Sequence, residues 1–256
     1  MNISQFHVRV FGRYQRVLAD ITYRRVVKMN NRIPFISFTF DDFPRSALYT
    51  GGDILFRYGL RGTYYASLGL MNTDGPTGNI FVPDDIEKLL AQGHELGCHT
   101  FAHCHSWDTK PKTFESSILK NKLILSTLVP DADLSSFSYP ISVPRPSIKR
   151  IAGKYFNSCR CGGQTYNAKA VDLNYLKAFF LEKSRDDIQT IKKLIDETCL
   201  NNGWLIFATH DISKKPTPYG CLPQFFEEVV RYSQDSNARI LPVGKALEEI
   251  LLKTNT

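Results

Sequence analysis

Two short strings hold side chains that could do hydrolytic chemistry. Thr39-Phe40-Asp41-Asp42 sets two carboxylates side by side, and His99-Thr100-Phe101-Ala102-His103 sets two imidazoles four residues apart. Taken alone, Asp-Asp reads as a turn or a helix cap. H-x-x-x-H serves one metal only if the chain turns after the first histidine. Taken together they offer two imidazoles and a carboxylate, the ligand set of a hydrolytic metal with open positions for water and substrate. The other Asp is then available as a general base. A third string, Thr209-His210-Asp211, adds an imidazole that could serve as general acid.

Each string closes a segment that reads as a strand. Residues 33–40 form a short apolar run rich in aromatic and β-branched side chains, as a buried strand requires. Further strands are expected at 62–67, 95–100, 135–140, 157–162, 174–181, 204–210 and 239–243. Helices are expected at 47–58, 83–92, 112–128, 145–153, 185–201, 222–234 and 244–253. Pro83 suits a first helical turn, and Asp84, Asp85 and Glu87 suit its N-terminal dipole. The β-α unit recurs roughly seven times, which argues for parallel strands wrapped by helices, in a barrel or an open sheet. In such folds active residues sit at the carboxyl ends of strands, where all three strings fall.

With the strings in order, the sequence resembles the polysaccharide deacetylases that carry a NodB homology domain, carbohydrate esterase family 4. The matching stretches are Phe38-Thr39-Phe40-Asp41-Asp42, Gly93-His94-Glu95-Leu96-Gly97-Cys98-His99-Thr100-Phe101-Ala102-His103, Phe137-Ser138-Tyr139-Pro140 and Leu205-Ile206-Phe207-Ala208-Thr209-His210-Asp211. The likeness spans about residues 33–250. It implies a distorted (β/α)7 barrel of the NodB type, with an added N-terminal helix. It implies Asp42, His99 and His103 as ligands of a divalent metal, zinc by preference, Asp41 as catalytic base and His210 as the acid for the leaving amine. The backbone N–H of Tyr139 is implied as an oxyanion donor. The implied reaction is hydrolysis of N-acetyl groups on amino sugars of a polysaccharide, oligosaccharide or precursor. O-acetyl or N-formyl hydrolysis and a non-catalytic carbohydrate-binding relative are the alternatives.

One departure stands out. Many members carry an Arg shortly before the Pro of the third motif, paired with the base, and Leu134-Ser135-Ser136-Phe137-Ser138-Tyr139-Pro140 has none. This resembles an F-x-Y-P branch. Arg160 either supplies that guanidinium, oriented by Asp172, or pairs elsewhere on the surface. Trp107 and Tyr166 read either as sugar-stacking rings or as core. His94 reads as structural, His105 as a rim residue, His7 as solvated, and Cys98 and Cys104 as packing. A glycosidase reading of Asp41 and Asp42 fails on spacing, because such carboxylates must flank a bond at roughly 5–9.5 Å.

The 256 residues carry 32 basic and 25 acidic side chains, a net charge of +7. Residues 1–32 hold Arg9, Arg13, Arg16, Arg24, Arg25, Lys28 and Arg32 against Asp20 alone, so the remainder is near neutral. The catalytic body at 33–256 therefore lacks the basic surplus of nucleic-acid binding. The sequence predicts an amphipathic helix over 6–28 within a basic N-terminal segment, 1–32. Val10, Tyr14, Val17, Leu18 and Ile21 share one face and Arg9, Arg13, Arg16 and Arg24 the other. The apolar face is expected to pack on the barrel. The other reading is weak contact with an anionic membrane surface. Met1 to Arg13 holds no apolar core of a secretory signal and no apolar run reaches transmembrane length. The expected location is therefore cytoplasmic, with peripheral inner-membrane contact as the variant. Six scattered cysteines fit free thiols in a reducing compartment.

Overall fold

A computed structural model describes residues 3–132, 134–141, 143–185 and 187–254, with the side chains of 3–10 and 253–254 outside that description. Seven strands form a closed parallel ring: Phe35–Phe40, Thr63–Ala66, Glu95–Cys98, Ser136–Ser138, Ser158–Gly162, Leu176–Phe180 and Trp204–Thr209. The ring closes between the first and the last, which pair in register from Trp204↔Phe35 to Thr209↔Phe40. Both closing strands are buried along all six residues. Two-sided burial is why they read as unbroken apolar runs rather than alternating ones.

The barrel is distorted at one seam. On its other edge the strand Phe35–Phe40 pairs with Arg239–Ile240 through its first two residues. It pairs with Thr63–Ala66 only through its last two. The short strand at 239–240 thus wedges into the lower half of the ring. Below it, the first turn of the helix Val243–Thr254 is met by polar side chains from inside the barrel. The Val243 N–H donates to Thr63 Oγ1 at 2.9 Å and the Gly244 N–H to Glu95 Oε2 at 2.7 Å. A carboxylate at a helix N-terminus satisfies donors that the helix cannot.

The outer helices begin where the sequence says they should. Pro83–Ala91, Pro111–Leu128, Pro146–Tyr155 and Pro223–Asp235 each start on proline, whose missing N–H costs nothing in a first turn. The segment expected as one helix at 47–58 is a π-helical turn, Ala47–Gly52, running into the short α-helix Asp53–Arg57.

The N-terminal segment differs from expectation in two ways. The helix spans Ile3–Ile21 and not 6–28. It ends before Tyr23, which takes a left-handed backbone (φ 43°), and Val26–Lys28 then forms an antiparallel strand with Ala170–Asp172. Val26 and Val27 are β-branched and favour that outcome. Most of the expected apolar face also does not pack on the barrel: Tyr14, Val17 and Ile21 are exposed, at 54%, 49% and 65%, as is Phe11 beside them at 52%, while Leu18 is half-buried. The helix is held instead through buried Ala19, whose carbonyl accepts from Lys149 Nζ, and through Asp20, which pairs with Lys177 at 2.6 Å. A lysine ammonium on a last-turn carbonyl suits the negative end of the helix. His7, Arg9 and Val10 have side chains outside the described residues.

Candidate active site

The polar strings meet at the carboxyl ends of the strands, and the backbone there is unusually bent. Asp42 (φ 60°), Phe43 (φ 53°), Thr100 (φ 60°), His103 (φ 48°) and Ile141 (φ 66°) all adopt left-handed conformations. Such conformations are uncommon outside glycine and gather at functional sites. The bend at Asp42 explains how adjacent residues can both face inward, which a plain strand forbids. Asp41 and Asp42 are both buried. The Asp41 N–H donates to Thr209 O at 2.9 Å, which sets the strand end carrying His210 beside the aspartates.

Asp42, His99 and His103 form one cluster, each offering a ligand atom within 4.8 Å of the others. Asp42 Oδ1 lies 3.1 Å from His103 Nε2 and 3.6 Å from His99 Nε2. That oxygen is buried and has no aligned hydrogen-bond donor among the described residues. Three converging acceptor atoms of this kind fit a cation, and the donor set of two imidazoles and a carboxylate fits a divalent one such as zinc. His99 Nδ1 sits 2.8 Å from Ser138 O, so Nδ1 carries the proton and Nε2 keeps its lone pair for the cluster. Burial pushes the His99 pKa down to about 4, against the pull of Asp41, so the ring is neutral at pH 7. Burial would also lower His103, but the Asp42 carboxylate outweighs it and its pKa is raised. Burial would raise Asp42, and His103 and His99 more than reverse that, so it is a carboxylate. Its second oxygen accepts from Thr77 Oγ1 at 3.2 Å.

Arg160 reaches Asp41. Its Nη2 donates to Asp41 Oδ1 and, at 2.7 Å, to Ser138 Oγ. Desolvation opposes charge on Asp41, yet the guanidinium wins and its pKa is lowered. Of the two readings of Arg160, the geometry is that of a buried partner to Asp41, not of a surface arginine. Asp172 does not orient it. Asp172 lies against Lys149 Nζ at 2.5 Å and accepts from the Arg25 and Asn174 N–H groups at 2.9 and 3.0 Å. The Tyr139 N–H donates to Arg160 O at 3.0 Å, so the ladder between strands occupies the amide assigned to the oxyanion. Its phenol donates to Asn174 O at 3.1 Å.

His210 is half-buried at the rim, stacked over Phe180 with centroids 6.2 Å apart and with Nδ1 3.2 Å from Tyr219 O. Asp211 shapes the loop that delivers Tyr219, accepting from the Thr217 N–H and hydroxyl at 2.9 and 2.5 Å. Gly220 has to be glycine there, since a Cβ would come within 2.2 Å of Asp211 O.

The remaining candidates scatter. His105 pairs with Asp108 at 2.5 Å and lies outside the cluster. His94 is buried, and its Nδ1 accepts from the Gly62 N–H at 3.0 Å. Cys98 is buried against Asn121. Tyr166 packs beside Gly203 and Asn201, at the entry of the last strand and far from the aspartates along it. Trp107 lies at the rim, its N–H on Val143 O at 2.8 Å and its ring 5.6 Å from Phe11.

Sequence reasoning passed over the groups that brace the histidine loop. Ser117 Oγ accepts from the Phe101 and Ala102 N–H groups at 3.0 and 3.1 Å. Asn121 accepts from the Leu68 N–H and donates to Ala66 O. Both project from the helix Pro111–Leu128, where buried Ser and Asn on the core-facing side were the only signal. Thr77, at the tip of a short hairpin, had none.

A family model described as Polysaccharide deacetylase matches residues 28–159, just over half of the chain. No curated protein sequence matches it. Solved structures share the barrel. A variant of the peptidoglycan deacetylase PdaC from Bacillus subtilis is 16% identical, with a TM-score of 0.58 over 88% of this chain and 94% of that one. The chitin deacetylase of the fungal pathogen Colletotrichum lindemuthianum is 17% identical, with a TM-score of 0.59 over 86% and 89%. BA3943 from Bacillus anthracis, described as a pseudoenzyme of carbohydrate esterase family 4, is 9% identical, with a TM-score of 0.57 over 85% and 66%. At such identities the likeness is one of fold, the distorted (β/α)7 barrel of the NodB type. The matched model reaches from the strand at Phe35–Phe40 through both histidines to Cys159, and on that ground the chain belongs to the polysaccharide deacetylase family.

Proposed function

We propose that this chain is a metal-dependent deacetylase that hydrolyses N-acetyl groups on amino sugars of a polysaccharide, oligosaccharide or precursor. The reading is carried by one observation. A buried carboxylate oxygen with no aligned donor among the described residues converges with two imidazole nitrogens, directly beside a second carboxylate held by a buried arginine. Asp42, His99 and His103 would hold the metal, which when bound supplies Lewis acidity and a water of lowered pKa. Asp41, kept ionised by Arg160, accepts the proton of the attacking water. His210 gives a proton to the departing nitrogen, since an amide nitrogen leaves poorly as an anion. Oxyanion binding falls to a donor other than the Tyr139 N–H. The next non-proline amide is that of Ile141, a β-branched residue whose strained left-handed backbone sits at the same rim.

The test is acetate release from a panel of acetylated amino-sugar oligosaccharides, by metal-loaded and chelator-treated protein, with elemental analysis of wild type and His103→Ala. Release that requires metal, and metal content lost in His103→Ala, is the expected result. Equal metal content in both proteins overturns the ligand assignment. Release from O-acetyl esters alone moves the activity to ester hydrolysis, and release from neither substrate class ends the hydrolase reading.

A further inference from the structure

We propose that the N-terminal helix docks the protein on an anionic membrane surface by laying its apolar stripe into the bilayer interface. The stripe is Phe11, Tyr14, Val17 and Ile21, which recur at three- and four-residue spacing along the helix Ile3–Ile21 and so share one face. All four are about half exposed or more, and Phe11 alone meets a ring of the barrel, the edge of Trp107. The helix is fixed to the barrel on another side, by Ala19, Lys149 and the Asp20–Lys177 pair. The stripe is therefore not needed to hold the helix in place.

The charges beside the stripe choose the occupant. Arg13, one turn before Val17, and Arg16 are exposed and form no ion pair among the described residues. Asp20, the sole acid of residues 1–32, is already paired. An apolar stripe with aromatic and aliphatic members, bordered by Arg13 and backed by Arg16 on the polar face of a helix of about 28 Å, has the make-up of an interfacial helix. A second copy of the chain is disfavoured as occupant. A two-fold contact through the stripe would bring together two helices that each carry Arg9, Arg13 and Arg16 against Asp20 alone, like charge against like charge. An anionic bilayer meets the charge and the apolar face at once.

The placement carries a consequence for the site. Phe11 abuts Trp107, and Trp107 bonds to Val143, just past the strand that ends at Ser138. The docked stripe therefore begins beside the barrel mouth, and the candidate site opens next to the membrane surface rather than away from it.

The experiment is co-sedimentation of the full chain with vesicles of equal parts phosphatidylglycerol and phosphatidylcholine, and with phosphatidylcholine alone. Variants are Tyr14→Ser/Val17→Ser/Ile21→Ser and Arg13→Gln/Arg16→Gln, each checked for an unchanged melting midpoint. Wild type should bind the anionic vesicles. The triple serine variant should bind about tenfold or more weakly, since three interfacial side chains are lost. Raising salt from about 0.1 to about 1 M should weaken binding without abolishing it, because the apolar share is not screened. The arginine variant should lose the preference for anionic over neutral vesicles. Acetate release from a soluble substrate should be the same in wild type and triple variant, so the docking surface and the proposed reaction stand or fall separately. Wild type failing to sediment, or the triple variant sedimenting equally, overturns the proposal. A dimer in light scattering that the triple variant abolishes, without vesicle binding, assigns the stripe to a second copy and overturns it too.

Discussion

Arg160–Asp41 and Lys149–Asp172 are both cation–carboxylate pairs cut off from water, but they are finished differently. Lys149 divides its protons between Asp172 and Ala19 O, and the other oxygen of Asp172 takes two backbone N–H groups. That pair joins the N-terminal helix, the segment around Arg25 and the helix Pro146–Tyr155. Arg160 bonds through one nitrogen only, while its Nε and Nη1 have no partner among the described residues. Its plane lies over the rings of Tyr65 and Phe180 at 4.9 and 5.6 Å. A pair with every group satisfied is a fastener. A pair with spare donors beside a metal-type cluster sets the charge of Asp41, the group proposed as base. Buried pairs are poor evidence of stability in general, so the difference has to be read from what each partner touches.

The comparison is broken most directly at Asp41. Asp41→Asn should lower acetate release by about two to four orders of magnitude while elemental analysis finds the metal still bound. Near-normal turnover would reduce Arg160–Asp41 to a second fastener. Lys149→Met should act in the opposite sense. It leaves Asp172 buried and unpaired, at a cost of about 3–5 kcal/mol in denaturant unfolding, with turnover per folded molecule unchanged. Adding Asp172→Asn to Lys149→Met should recover much of that loss, since the orphaned charge goes with it.

The smallest effect is a pH dependence away from both pairs. Burial holds His94 at a pKa of about 4, with Arg61 adding to the shift. The unfolded chain therefore takes up a proton first as pH falls. The stability that His94 contributes is complete above about pH 6.5, declines from there to about pH 4, and is level below, a total of roughly 3 kcal/mol at most. His94→Asn keeps an acceptor for the Gly62 N–H and does not titrate. The difference between wild-type and variant unfolding curves should be confined to that window. A constant offset across pH 4 to 7 would contradict it.

Most of the barrel was legible because its strands are largely buried on both faces and four of its helices open on proline. The positions that could be read, Asp41, Asp42, His99, His103 and His210, sit in strings whose residue types already narrow the chemistry. What escaped depends on pairs distant in sequence. Arg160 meets Asp41 across 119 residues, so the sequence offers that pair only as one of two readings and nothing near either residue decides between them. The amide of Tyr139 looks free in sequence because the strand that consumes it, Ser158–Gly162, is a neighbour only in the folded ring. The N-terminal helix misled for another reason. Periodicity reports that a face is apolar but not what it meets, and here the barrel holds the helix by Ala19 and leaves the apolar face open.

The closure of the ring has a consequence for how the chain comes off the ribosome. Thr39 donates to Phe207 O, 168 residues away, and the whole length of Phe35–Phe40 pairs with Trp204–Thr209. Contacts of such separation form slowly, and domains assemble as they are synthesised. The Phe-Ile-Ser-Phe-Thr-Phe segment is thus made early and waits for its main partner until residue 209 has emerged. Until then an apolar strand edge stands open, a surface prone to aggregation. Asp41 and Asp42, hinged on that strand, cannot settle beside His210 any sooner. Capture of the proposed metal at the mouth would therefore be a late event in biogenesis, and a nascent chain truncated before residue 204 should bind metal weakly and aggregate readily.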